Sequence, residues 1–137
     1  MESCIFCKIA NGQIPSITLY EDASFRVILD ISPASKGHTL ILPKEHFANL
    51  YELREDLAEK VLPLAQKIIK ELTPILKCSG YNILQNNGET AGQTVNHFHL
   101  HMIPRYTEDK VCISWDPENI SSTEIDKIVN ALQNIHI

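Results

Sequence analysis

The segment His97-Phe98-His99-Leu100-His101-Met102-Ile103 alternates strictly between imidazole and apolar side chains, and no other run restricts the fold of this chain as much. Successive side chains of a strand point to opposite faces, so the spacing predicts three histidines on one face and Phe98, Leu100 and Met102 on the other. Such a strand has to separate a packed apolar layer from a polar site. With 6 histidines in 137 residues, a triplet at this spacing arises by chance on the order of once in a hundred sequences. Single histidines are ordinarily satisfied surface or core residues, whereas three in register point to chemistry. Two chemistries fit: a metal site, or a nucleophile with supporting groups. Neighbours on one strand face lie about 6.6 Å apart and His97 and His101 about 13 Å, while metal–nitrogen bonds are only about 2 Å. One ion is therefore not expected to collect all three, and the histidines are expected to divide their labour. A neutral imidazole is a competent nucleophile near pH 7, and the phosphoramidate it forms can later be cleaved by water.

The charge balance narrows the substrate. Twelve Lys and Arg stand against 17 Asp and Glu, a net charge of −5, which argues against a broad nucleic-acid face built on many phosphate contacts. Any bound phosphate must be held locally. Asn86 and Gly88, followed by Gly92-Gln93-Thr94 just before the histidines, supply neutral N–H and O–H donors for that purpose. At 137 residues, 44% of them hydrophobic, the chain reads as one domain able to bury a core without cross-links. No apolar run approaches the roughly 20 residues of a bilayer helix, so no membrane span is expected. Met1-Glu2-Ser3-Cys4 has neither a basic start nor an apolar continuation, which predicts a cytoplasmic protein. In that reducing setting Cys4, Cys7, Cys78 and Cys112 are expected as thiols or metal ligands.

The remaining pattern predicts an α+β fold: a five-stranded antiparallel sheet with one long helix, a short N-terminal helix and a C-terminal helix. The short helix covers Phe6 to Ala10, stopped by Asn11-Gly12. Strands are expected over Ile17 to Tyr20, Phe25 to Leu29, His38 to Leu42, Tyr81 to Gln85 and Val95 to Ile103. Pro43 should end the third and Pro104 the fifth. Leu57, Val61, Leu64, Ala65, Ile68, Leu72, Ile75 and Leu76 recur at helical spacing between Arg54 and Leu76, and Pro63 should kink or break that helix. Ser121 and Glu124 form a capping box for a last helix over Ser122 to Asn134, with Ile125, Ile128, Val129 and Leu132 as its apolar stripe.

The histidine run resembles the histidine triad of the HIT superfamily of nucleotide hydrolases and transferases. Cys4-Ile5-Phe6-Cys7-Lys8-Ile9, Asp30-Ile31-Ser32-Pro33, Gly37-His38-Thr39-Leu40 and the Asn86-to-Thr94 segment fall in the family's order. The likeness covers residues 4–105 of a single domain spanning 1–137, with 106–137 as a variable extension. It implies a HIT-type fold and a His99 nucleophile that attacks the α-phosphorus of a nucleoside phosphate, flanked by His101 and His38. It also implies that Asn86, Gln93 and Thr94 contact phosphate or leaving group, that Asp30 binds ribose, and that Ile5, Phe6 and Ile9 wall a purine pocket. The implied substrates are adenosine phosphates carried as phosphoramidates or (di)nucleoside polyphosphates, and the implied assembly is a homodimer. The start of the chain resembles the Hint-like branch, while Ala91 to Val95 and Pro104-Arg105 are also similar to the dinucleoside polyphosphate hydrolases.

Cys4 and Cys7 form a Cys-x-x-Cys unit that by itself arises by chance on the order of once in nine such sequences. It reads as a redox dithiol, as two buried thiols or as half of a zinc site. Some HIT proteins, bacterial ones especially, carry structural zinc in a site that this pair resembles when joined by His46 and His97. Two alternatives to the enzyme reading stay open: a nucleotide-binding adaptor or sensor, and a hydrolase whose triad itself holds a catalytic ion.

Overall fold

The turn between the first two strands is built by one side chain. Asp22 Oδ1 accepts from the N–H groups of Ser24 and Phe25 at 2.8 Å, which folds β1 (Thr18–Glu21) back onto β2 (Phe25–Leu29). In the computed structural model, which describes residues 3–137, β2 pairs with β3 (Thr39–Pro43), β3 with β5 (Leu100–Arg105), and β5 with β4 (Gly80–Leu84). The reading of the N-terminal start rests partly on Met1 and Glu2, which lie outside the described residues. The five strands are antiparallel, as the sequence pattern predicts, and lie in the order β1-β2-β3-β5-β4.

Two helices cover the two faces of this sheet. Leu57, Val61 and Ala65 of α2 (Glu55–Leu76) pack on Phe25, Val27, Ile41, Phe98, Leu100 and Met102. On the opposite face, α1 (Ile5–Ala10) sets Phe6, Ile9 and Ala10 against Ile28, Leu40 and Leu42. Leu40 is the cross-strand partner of His101, so the α1 face is also the imidazole face. The alternation of β5 thus does what its pattern predicts: Leu100 and Met102 go into the main core while His101 looks the other way.

Several boundaries differ from expectation. The fifth strand starts at Leu100 rather than Val95 and runs through Pro104. Phe98 N–H donates to Phe47 O at 2.6 Å, so the backbone before His99 is committed to the loop after β3 and not to a ladder. Pro104 is tolerated because pairing with β3 ends at Met102, and Ser35 Oγ donates to Pro104 O at 2.6 Å on that side. Pro43 likewise closes β3 from inside it. Neither Pro63 nor Pro74 interrupts α2, which is one helix of 22 residues; Pro63 lies on its exposed side, where water can serve the carbonyl left without a donor. The turn expected at Asn86–Ala91 contains a short 3-10 helix, Glu89–Ala91. The last helix, α3 (Ser122–Leu132), is capped by Ser121 Oγ as predicted, yet its stripe of Ile125, Ile128, Val129 and Leu132 stays exposed.

Gly37 marks where the fold places a catalytic candidate. Its φ is +91°, and a Cβ there would come within 2.5 Å of Leu76 Cδ1. The end of α2 therefore presses directly on the residue before His38. Among the described residues, no helix is long and apolar enough to cross a membrane.

Candidate active site

Backbone groups fix the protonation of the histidine rings one after another. His99 Nδ1 lies 2.7 Å from His97 O; a carbonyl only accepts, so Nδ1 carries the proton and Nε2 keeps its lone pair. Ala34 N–H donates to His38 Nδ1 at 2.9 Å, so the His38 proton sits on Nε2. That proton is given to His101 Nδ1 at 2.9 Å, which leaves the His101 proton on its own Nε2. The His99 and His101 rings are 4.9 Å apart. A bare nitrogen and an N–H are thus held side by side, on a buried and a partly buried ring.

Asp30 closes the group. Its Oδ1 accepts from Ser32 N–H at 2.8 Å and its Oδ2 lies 3.6 Å from His38 Nε2. Asp30, His38 and His101 have the composition of a metal site, and the 2.9 Å between His38 Nε2 and His101 Nδ1 is an ordinary hydrogen-bond distance. Phe6 stands edge-on to the His99 ring at 5.0 Å, so α1 supplies an aromatic wall. Ile9 is packed beneath it, whereas Ile5 is half-exposed.

Burial keeps these rings neutral. It lowers the pKa of His99, with its hydrogen bond to His97 O and the Asp30 charge acting the other way. It lowers His38 against the pull of Asp30, and it takes His101 down to about 4, helped by the proximity of His99 and His38. A histidine depressed in the fold contributes stability that is present above its unfolded value of about 6.5 and is lost as pH falls toward the folded value. Between pH 7 and pH 5 His101 alone should withdraw about 2 kcal/mol. Denaturant unfolding of wild type and His101→Gln at both pH values checks this. The acid-induced loss should be smaller in the variant by about that amount, and equal losses would contradict a partly buried, neutral His101.

His97 faces elsewhere. Its Nε2 lies 2.9 Å from Pro43 O and must donate to it, which turns Nδ1 toward Cys4 Sγ at 3.5 Å, Cys7 Sγ at 3.4 Å and His46 Nδ1 at 3.3 Å. Cys7 Sγ is 3.2 Å from His46 Nδ1. A tetrahedron with zinc–sulfur bonds of about 2.3 Å and zinc–nitrogen bonds of about 2.05 Å has nitrogen–sulfur edges of about 3.6 Å and nitrogen–nitrogen edges of about 3.3 Å. The donor set and its spacing fit zinc. Burial lowers His97 to about 4, so its Nδ1 lone pair is available, and the Nε2–H bond to a backbone carbonyl is the usual orienting contact of a metal-bound imidazole.

The loop before the triad holds the other predicted residues. Asn86 Nδ2 donates to Gly92 O at 3.4 Å, and Thr94 is exposed. Gln93 is buried with its amide used internally, so this structure does not present it as a phosphate contact. A groove of about 510 Å³ is lined by Glu89, Gly92, Gln93, Thr94 and Asn96. Asn96, which lines this groove with Thr94, was not picked out from the sequence. Ala34 was missed as well, because it acts through its backbone N–H. A larger cavity of about 630 Å³ lies between α2 and the β1–β2 hairpin and contains none of the histidines.

Fold and site together define an α+β domain with a covered imidazole cluster beside a Cys–His centre. The sequence matches the HIT domain family over residues 11–108, and the chain belongs to that family. It is 45% identical over 124 residues to an adenosine 5'-monophosphoramidase of Schizosaccharomyces pombe, covering 90% of each chain. A HIT family protein from Bacillus anthracis superposes with a TM-score of 0.89 at 40% identity, over 97% of this chain and 96% of that one. A zinc-bound histidine triad family protein from Mycobacterium smegmatis does so with a TM-score of 0.77 at 40% identity, over 85% of each.

Proposed function

We propose that this protein hydrolyses or transfers nucleoside monophosphate groups, cleaving adenosine phosphoramidates or (di)nucleoside polyphosphates at the α-phosphorus. The observation that carries this reading is the His99 tautomer: with Nδ1–H held by His97 O at 2.7 Å, Nε2 is a buried, neutral nucleophile. Nε2 attacks phosphorus, the bond to the leaving group breaks, and the leaving group departs with the bonding pair. The positive charge that develops on His99 is met at Nδ1–H by the His97 carbonyl. His101 Nε2–H, oriented through His38, is the donor for a phosphoryl or leaving-group atom. Water then cleaves the nucleotidyl-histidine bond. Asp30 serves the ribose, Phe6 and Ile9 the purine, and Asn86 and Thr94 the phosphate. The S. pombe relative named for an adenosine substrate supports the choice of base. A panel of adenosine and guanosine phosphoramidates, dinucleoside polyphosphates and adenylyl sulfate tests the reading. Saturable turnover of at least one member is expected, and binding without turnover across the panel would make the protein an adaptor or sensor.

Cys4, Cys7, His46 and His97 are proposed to hold one structural zinc ion. When bound, the ion would be fully coordinated by protein and would act as a cross-link between α1, the loop after β3 and the chain before β5.

The chain is further proposed to work as a cytoplasmic homodimer. The support is unpartnered surface: β4 is an open edge of the sheet, and Ile113, Trp115, Ile120 and the α3 stripe are all exposed. Each such side chain gains about 1.5–3 kcal/mol on full burial, and an isolated helix of 11 residues is marginal in water. A two-fold contact with a second copy would bury the stripe, and could cover the β4 edge as well. Light scattering should give twice the 15.5 kDa chain mass; a single 15.5 kDa species at micromolar concentration would count against the dimer.

A further inference from the structure

We infer that Gln93 is a positioning residue: its side-chain amide ties the phosphate loop to the segment after His46 and does not itself touch the substrate. The inference rests on the reading of Asn86 and Thr94 as phosphate contacts. Gln93 Oε1 accepts from Gly88 N–H at 2.8 Å, and Nε2 donates to Ala48 O at 2.6 Å and to Val95 O at 3.0 Å. One acceptor contact and both amide protons are used inside the protein, and the side chain is buried. Turning Nε2 toward a ligand would take this donor away from two backbone carbonyls.

The contacts form a clamp. Gly88 O accepts from Ala91 N–H and Gln93 N–H at 3.1 Å, so residues 88 and 93 are joined by backbone and side chain alike, and the loop between them is closed. Gly88 and Gly92 have φ of +92° and +96°, a shape that a free loop would not keep without such ties. The opposite jaw is the stretch 47–50. Ala48 O takes the Gln93 amide, Leu50 N–H donates to Asn87 Oδ1 at 2.8 Å, and Phe47 O takes Phe98 N–H at 2.6 Å. Asn87 is in turn locked to Gln85 by a reciprocal amide pair at 2.7 and 2.9 Å. One short stretch of backbone therefore holds both the loop that carries Asn86 and Thr94 and the peptide between His97 and His99. Gln93, buried and bonded at both ends of its amide, joins the two together with Asn87 and sets where the phosphate donors stand relative to the nucleophile.

Nuclear magnetic resonance of the wild-type protein tests this without any variant. In ligand-free protein the Gln93 Nε2 protons and the Gly88 amide should exchange slowly. Adenosine 5'-monophosphate should shift the Thr94 amide while leaving the Gln93 side-chain resonances nearly unmoved. Fast exchange in the free protein, or a Gln93 side-chain shift as large as that of Thr94, would overturn the proposal. The variant Gln93→Met keeps the volume and removes all three bonds. It should release the Gly88 amide and lower kcat/KM by about tenfold or more. Affinity for the monophosphate should fall while affinity for adenosine is unchanged. A variant with reduced Tm but kcat/KM within twofold of wild type would show a merely structural role and overturn it too. Exchange in the free protein is read independently of turnover, so an inactive protein with a protected Gln93 amide would count against the proposed reaction and not against the clamp.

Discussion

His99→Ala or His99→Gln should lower turnover by on the order of 10³-fold or more, with the fold kept and nucleotide binding largely intact. In the proposed reaction the His99 ring forms the bond to phosphorus, and its ring contacts include edge-on approaches to Phe6 at 5.0 Å and His101 at 4.9 Å. Calorimetry on the variant should give a dissociation constant for adenosine 5'-monophosphate within a few-fold of wild type. Single-turnover experiments should trap a nucleotidylated wild-type protein and none of the variant. More than a few per cent of residual turnover would remove His99 from the role of nucleophile. His38→Ala is expected to act differently, because in the proposed reaction His38 acts through His101. It orients His101 through the 2.9 Å Nε2–Nδ1 contact, so its loss should reduce the rate less and still allow the intermediate to form.

The fold was legible wherever a residue's local chemistry decides its structure. Phe25 to Leu29 is a strand because β-branched and aromatic residues follow an Asp22 turn, and the residues that turn requires are adjacent in sequence. The helix 55–76 shows its buried side as Leu57, Val61 and Ala65. Legibility fails where a distant backbone group takes over. Alternation alone extends the last strand back to Val95, but the Phe98 amide is claimed by Phe47, 51 positions earlier. Prolines read as stops fall inside β3 and β5 because each occupies a place where no partner strand needs its missing N–H. The α3 stripe is legible as amphipathic, yet a pattern says only that a face is apolar and never what covers it.

The site divides along the same line. The residue types His38, His99 and His101 and their common face are in the sequence, and so is the neutrality that follows from burying imidazoles away from cations. The tautomers are not, because they are dictated by His97 O and Ala34 N–H, backbone groups that do not depend on the side chain. Which nitrogen attacks and which donates is therefore a property of the fold. Gln93 is the converse case: an amide before the triad looks like a ligand for phosphate, and the fold uses it on Gly88, Ala48 and Val95 instead. His97 belongs to the triad by position and to the cysteine centre by geometry, since its Nε2–H bond to Pro43 O turns the other nitrogen toward Cys4 and Cys7.

Replacing Cys4 and Cys7 by serine should remove stoichiometric zinc and lower Tm by on the order of 10 °C, the equivalent of a few kcal/mol in a domain of this size. The segment at stake is short. The helix α1 has 6 residues, too few to hold itself, and its apolar contacts are limited to Phe6, Ile9 and Ala10 over Ile28, Leu40 and Leu42. Cys4 and Cys7 lie at the start of this helix, Cys4 Sγ accepting from Cys7 N–H at 3.3 Å. With zinc bound, the centre would fasten the start of α1 to His46 and His97, each on a different part of the chain. Because Phe6 walls the His99 ring, a loosened α1 should weaken nucleotide affinity more than it slows the chemical step: KM should rise with kcat changed far less. Metal analysis of protein purified without chelator is expected to give one zinc per chain. Well under one, or stoichiometric zinc retained in the double variant, would show that these four side chains do not form the centre. The same experiment separates the two roles a metal could have, because metal-free protein that still turns over substrate, at raised KM, places the ion in the scaffold and leaves the chemistry to His99.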